Sequence, residues 1–361
     1  MLYMPAFYRS FGKQALKMAE RSLDDIILSG EFNGVYLIGL WESGGYDGGF
    51  DVVEYSVDGR FGTNRQFKEF IKRAHYFGLE VGVDVVPNHV SDKHFLAQNC
   101  LNGVPGYEDC LYVVSEAEAK RLTEAGVPNF FGKLAYSDFG DKYVRSTFCD
   151  YRQLNLNWQS QNVKKYFRGV FADLKSIGVD FARIDCGMML LEDVSKADKN
   201  NPMACFNPLA SIEAVRKVAG GMQLFFEWFD PESAYLFDDM PECYALDCSY
   251  VLTGKLNLDW DRYGSKLIPL FGGHDQMTLA DRGIELKEAL SLALLVSHGG
   301  REYVFLDIQT LLGWRTDPTI LPEDYEYDAD INNPNQRYRA RRPIAPVLEK
   351  SNERVMAQFK K

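Results

Sequence analysis

An alternation constrains this chain more than any other feature. Short apolar, β-branched runs end in polar or glycine residues, and a helical pattern usually follows. The runs are Leu2–Phe7, Gly34–Leu40, Glu80–Val86, Val179–Ile184, Gln223–Phe226, Tyr244–Cys248, Leu267–Phe271 and Tyr303–Leu306. They are apolar almost throughout, as strands buried on both faces of a parallel sheet must be. Helical periodicity marks Lys13–Leu28, Asn64–Tyr76, Gln161–Ile177, Ile284–Ser297 and Pro346–Phe359. Eight such units predict an α/β fold, a (β/α)8 TIM barrel. The alternative, an open doubly wound sheet, wants a G-x-G-x-x-G turn after an early strand, and neither of the first two runs has one. Gly44-Gly45 and Gly48-Gly49 do follow the second run, but in a long loop and not at a helix start.

One irregular stretch breaks the pattern. From about Ser91 to Asp150 the chain is rich in Gly, Pro, Asn and aromatics, with a helical piece at Ser115–Ala125. It reads as an insertion (91–150) after the third strand, with 1–90 and 151–361 forming the barrel. The 361 residues leave no separate domain beyond these.

Charge and composition narrow the function. With 46% hydrophobic and 25% charged residues the chain has a core to bury, which excludes disorder as its main state. Forty Lys and Arg against 51 Asp and Glu give a net charge of −11, which argues against a nucleic-acid partner and fits a neutral or cationic small molecule. No run is long and apolar enough to span a membrane, and the first residues lack the pattern of a signal peptide. The seven cysteines are scattered and form no C-x-x-C, so reduced thiols, no metal centre and a cytoplasmic location are expected. Aromatics at 14% fit either a well-filled core or platforms for stacking sugars.

In a barrel, chemistry gathers at the C-terminal ends of the strands. Five of the eight runs deliver a carboxylate there: Asp51 after the second, Asp84 in the third, Asp185 after the fourth, Glu227 after the fifth and Asp275 after the seventh. Each alone has an ordinary structural explanation; Asp84 or Asp185 could simply pair with Arg183. Together they are harder to explain structurally, because converging carboxylates repel and lose hydration. A hard-metal site would favour D-x-D spacing, which none of these five strand-end acids has. Acetal chemistry wants one ionised nucleophile held by a cation and one proton donor. Arg183 lies on the same side of its strand as Asp185 and can hold it ionised. Phe225, Phe226, Trp228 and Phe229 surround Glu227 in sequence and are expected to desolvate it.

These residues resemble a known family. Asp84-Val-Val-Pro-Asn88-His89, Ala182-Arg183-Ile184-Asp185, Phe226-Glu227-Trp228 and Gly273-His274-Asp275 resemble the four ordered motifs of the α-amylase family (glycoside hydrolase family 13). Gly49–Tyr55 resembles that family's segment after the second strand. Val127-Pro128-Asn129 and Leu154–Trp158 resemble its inserted domain B. The resemblance implies a retaining α-glucosidase or transglucosidase with a (β/α)8 barrel and domain B after the third strand. It implies Asp185 as nucleophile, Glu227 as general acid and base, and Asp275 as the group holding the sugar hydroxyls. It further implies Phe50, Asp51, His89, Arg183 and His274 as substrate-binding or orienting residues, and Asp84 and Asn88 as structural supports. No cofactor or metal is implied, and the expected partner is a small sugar.

Departures sharpen the reading. Cys186-Gly187-Met188-Met189 replaces the Lys-His segment of many starch-degrading members, which argues against long-chain starch binding and its calcium site. Gly48-Gly49-Phe50 is closer to the sucrose phosphorylase-like branch. The C-terminal β-sandwich of most members is not expected here. Hydrolysis, transfer and phosphorolysis share one first half-reaction and stay open at this point, as does a catalytically silent sugar-binding homologue.

Overall fold

The computed structural model describes residues 2–7, 15–45, 47–129, 135–147, 152–227, 245–247, 268–271, 291, 293 and 304–306. Eight strands form one sheet: β1 (Leu2–Phe7), β2 (Gly34–Ile38), β3 (Glu80–Val85), β4 (Phe181–Ile184), β5 (Gln223–Phe226), β6 (Ala245–Asp247), β7 (Ile268–Phe271) and β8 (Val304–Leu306). Their spatial order is β5-β4-β3-β2-β1-β8-β7-β6. Every neighbouring pair is parallel. This is chain order read round a circle: the first strand pairs with the last, through Leu2↔Val304 and Tyr3↔Phe305. Among the described residues no pairing joins β5 to β6.

The helices are α1 (Ala15–Ser29), α2 (Asn64–Tyr76), α3 (Phe95–Leu101), α4 (Glu116–Ala125), α5 (Gln161–Ser176) and α6 (Pro208–Ala219). Local chemistry explains their limits. Thr63 caps α2 by accepting from the Gln66 N–H, and Phe67, Phe70, Ile71 and Ala74 make its buried stripe. Val163, Phe167, Val170, Phe171 and Leu174 do the same for α5. The helix α6 has no counterpart in the periodicity reading above; its signals are the Asn207 cap and Pro208 in the first turn. The expected helix Pro346–Phe359 lies outside the described residues, and of Ile284–Ser297 only Ser291 and Ala293 are described, both helical.

Aromatic rings fill one end of the sheet's inner face. Tyr36 on β2, Phe181 on β4 and Phe225 on β5 meet edge to face, with centroids 6.2 and 5.1 Å apart. Gly82 on β3 stands between them, in register with both Tyr36 and Phe181. A Cβ there would lie 2.0 Å from the Phe181 ring, so this strand position must be glycine.

Between β3 and β4 the parallel alternation stops. His89–Ser91 pairs antiparallel with Gln153–Asn155. Between them, Val113–Val114, Tyr143–Arg145 and Tyr136–Asp138 form a three-stranded antiparallel sheet. Ala119 and Leu122 of α4 pack with Val127, Ala135 and Tyr136 in a small core of their own.

Candidate active site

Register places the site. On β4 the side chains of Phe181, Arg183 and Asp185 alternate onto one face; on β5 those of Gln223, Phe225 and Glu227 do so. Ile184 is opposite Phe226, so Asp185 and Glu227 stand level, one residue past their strands. The ladder continues through them, since the Asp185 N–H donates to Val85 O and the Glu227 N–H to Ile184 O. Arg183 stands one layer below, beside Asp84 on β3.

One guanidinium organises three carboxylates. Arg183 Nη1 donates to Asp84 Oδ1 at 2.8 Å and to Asp185 Oδ1 at 2.9 Å. Its Nη2 pairs with Glu227 Oε1 at 2.6 Å. Burial works against the Arg183 charge, but Glu227, Asp84 and Asp185 outweigh it and hold the guanidinium well above its ordinary range. The Phe50 ring covers it, 5.9 Å from centroid to guanidinium carbon.

The Glu227 carboxylate has polar partners: Arg183 on Oε1, and on Oε2 the Cys186 N–H at 3.1 Å and Cys186 Sγ at 3.7 Å. Of the aromatic residues expected around it, Phe225 shares its face of the strand and Phe226 faces the other side of the sheet. Trp228 and Phe229 lie outside the described residues, as do His274 and Asp275.

Three aromatic side chains clamp the end of β3. Trp41 Nε1 donates to Asp84 O at 2.6 Å, and Trp158 Nε1 to Pro87 O at 2.8 Å. The Tyr55 hydroxyl accepts from the Val86 N–H at 2.8 Å and faces Val86 O at 3.3 Å. Burial, then Tyr166, Asp185 and Asp84, push this phenol well above its usual range, so it stays protonated. Asn88 Nδ2 donates to Met189 O at 2.9 Å, and Asn88 Oδ1 lies 3.1 Å from His89 Nδ1. His89 is thereby held at the mouth of β3, buried.

Asp51 is buried but engaged in its own loop, its Oδ1 accepting from the Asp47 N–H at 3.0 Å. The structure thus brings Phe50, Arg183, Asp185 and Glu227 together, with Asp84 beneath. Sequence reasoning gave no site role to Cys186 or Trp41, and it met Tyr55 and Trp158 only within the family-like segments after the second strand and in the insertion; the bonds of the two indoles and the phenol to the backbone at the end of β3 carry no sequence signal. Asp185, Cys186 and Glu227 each offer a ligand atom, all within 4.8 Å of one another. The Arg183 guanidinium already bonds to both carboxylates, where a cation would otherwise stand.

A model of the alpha-amylase catalytic domain matches residues 27–222. The trehalose-6-phosphate hydrolase of Bacillus subtilis (strain 168) is 24% identical over 162 residues, 44% of this chain and 29% of that protein. An oligo-1,6-glucosidase of Heyndrickxia coagulans is 26% identical over 160 residues, 42% of this chain and 28% of that protein. The chain thus matches under a third of the length of these curated relatives. The crystal structure of Bacillus licheniformis trehalose-6-phosphate hydrolase has a TM-score of 0.74 at 17% identity, covering 97% of this chain and 72% of that one. A trehalulose synthase variant in complex with Tris has a TM-score of 0.77 at 18% identity, covering 95% and 74%. At such identities the likeness is one of fold. No described helix is long and apolar enough to cross a membrane. The family model covers more than half of the chain, and the protein belongs to the alpha-amylase family by its catalytic domain.

Proposed function

We propose that this protein is a retaining α-glucoside-active enzyme, a hydrolase or transglucosidase acting on a small α-glucoside or oligosaccharide. The observation that carries the reading is the pairing of Asp185 and Glu227. They stand level on adjacent strands with carboxylate oxygens within 4.8 Å, gripped by one arginine. Retention calls for carboxyl groups about 5–5.5 Å apart, whereas inversion needs room for a water between them.

In the first step Asp185 attacks the anomeric carbon while Glu227 gives its proton to the leaving oxygen. The glycosidic bond breaks and a β-glucosyl ester of Asp185 forms. In the second step Glu227 takes a proton from water or an acceptor hydroxyl, which attacks the same carbon and frees Asp185. Arg183 pairs with the nucleophile and orients it. Phe50, Asp51, His89 and His274 are assigned to sugar binding, and Asp275 to the sugar hydroxyls. The architecture belonging to this reading is a closed (β/α)8 barrel (1–90 and 151–361), with β5 meeting β6 and residues 91–150 as domain B. The cyclic strand order and the β1–β8 pairing support closure.

The test is a panel of p-nitrophenyl α-glucoside, sucrose, maltose, isomaltose, trehalose and trehalose 6-phosphate, with and without phosphate. Products are followed by mass spectrometry and their anomers by NMR. Turnover with the α-anomer formed first is expected. A β-anomer overturns retention, and glucose 1-phosphate appearing only with phosphate makes the enzyme a phosphorylase. No turnover of any member, with Asp185→Asn indistinguishable from the parent, returns the chain to the class of sugar-binding homologues.

A further inference from the structure

We propose that Cys186 is a positioning residue that fixes the Glu227 carboxylate against Asp185, an inference that rests on Glu227 being the proton donor. The backbone carries the first observation. Cys186 is the only non-glycine residue with positive φ among those described, at φ 49 and ψ 28. L-residues rarely adopt this conformation, and a buried one keeps it only where the surroundings fix it. The following residue is packed tightly too. A Cβ at Gly187 would lie 2.7 Å from Ile184 Cγ2 and 2.7 Å from Phe226 Cδ1, so the chain just after the turn is held against β4 and β5.

The consequence is a doubled contact. The left-handed turn aims both the N–H and the Sγ of Cys186 at one oxygen, Glu227 Oε2, at 3.1 and 3.7 Å. The other oxygen is held by Arg183 at 2.6 Å. The carboxylate is therefore held through both of its oxygens. Burial, then Asp185 and Glu227, push the thiol well above its ordinary range. It thus stays an S–H, a donor between two carboxylates rather than a nucleophile. An alanine here keeps the turn and the N–H and deletes only the thiol; a serine restores a donor.

Cys186→Ala and Cys186→Ser are compared with the parent in the full chain, alongside Asp185→Asn and Glu227→Gln. The readouts are kcat and KM against pH on an α-glucoside that the parent turns over. The carbon-13 titration of glutamate carboxyls is also followed, with the Glu227 signal assigned through Glu227→Gln. For Cys186→Ala, kcat is expected to fall about tenfold with KM within about twofold. The basic limb and the Glu227 signal should both move up by about half a pH unit, because a donor to the charged form is lost. Cys186→Ser should return both toward the parent. Superimposable titrations of parent and Cys186→Ala overturn the proposal, as does an equal shift in Ala and Ser variants, or a titration shift without a change in kcat. A parent without turnover defeats the proposed function instead, while the carboxyl titration still decides the role of Cys186.

Discussion

Arg183 is the residue on which the site turns. It is buried, and its two terminal nitrogens serve Asp84, Asp185 and Glu227. A lysine carries the charge and three donors, but all on one nitrogen, so it cannot span the three acceptors as the planar guanidinium does. We expect Arg183→Lys to lower kcat/KM at least ~100-fold in initial-rate assays, since both proposed reacting groups lose their orientation. Arg183→Met removes the charge that the buried Asp84 and Asp185 and the half-buried Glu227 share. It should destabilise the chain by about 3–5 kcal/mol in urea denaturation. His94 makes a pH prediction of a different kind. It caps α3 by accepting from the Leu96 N–H, and burial lowers its pKa from 6.5 to about 3. Between those values the unfolded chain binds a proton that the folded chain refuses. Its stabilising effect is therefore complete above pH 6.5 and is lost as pH falls toward about 3, by up to ~1.4 kcal/mol per pH unit. Asn can cap the same helix without titrating. The stability difference between pH 7.5 and pH 4.5, from urea midpoints, should be roughly 2–3 kcal/mol smaller in His94→Asn.

At the scale of elements, β3 is the strand that the others are built around. Its Gly82 gives the Phe181 ring its space, and its Asp84 reaches Arg183 beside it on the next strand. Indole and phenol groups from Trp41, Trp158 and Tyr55 fix its outgoing backbone. Gly82→Ala would force the Phe181 ring off its partners Tyr36 and Phe225. The expected cost is about 1–3 kcal/mol or more, seen as a lower melting temperature, with activity falling because Arg183 sits two residues along the same strand face as Phe181. A melting temperature equal to the parent's would show that the ring has other room. The α-helices obey simpler rules, their caps and stripes being local, and so α2 is found at the limits its sequence predicts.

At the scale of the molecule, a buried ion pair joins the small antiparallel sheet to the connection after β4. Arg145 Nε pairs with Glu192 Oε2 at 2.9 Å, and Arg145 Nη1 donates to Ala135 O and Ser146 O, each at 2.9 Å. Their side chains are 1% and 4% exposed, so removing one partner strands a charge in the interior. Arg145→Met should cost about 3–5 kcal/mol and expose the 91–150 segment to limited proteolysis. The double variant with Glu192→Leu should recover most of that loss, because a well-packed apolar pair avoids the desolvation penalty. Failure of the double variant to recover would mean that the pair fixes the geometry of this junction and not merely its charge balance. The acidic surplus of −11 includes Asp84, Asp185 and Glu227, three acids that the fold draws onto one arginine.

The sequence by itself determined the parallel strand alternation and the placement of acids at strand ends. Both are one-dimensional properties: burial on two faces shows as an apolar run, and strand parity shows as alternate residues. Arg183 and Asp185 are two apart on one strand, so their pairing was legible from spacing. Only the tertiary structure decided that the same guanidinium also holds Asp84, 99 residues away, and Glu227 on the next strand. It also decided that Glu227 meets the thiol of Cys186 and the guanidinium of Arg183, and that Asp51 bonds within its own loop. Inter-strand register and the left-handed turn at Cys186 fix these contacts. Both depend on how distant segments pack, for which a single strand's pattern carries no signal.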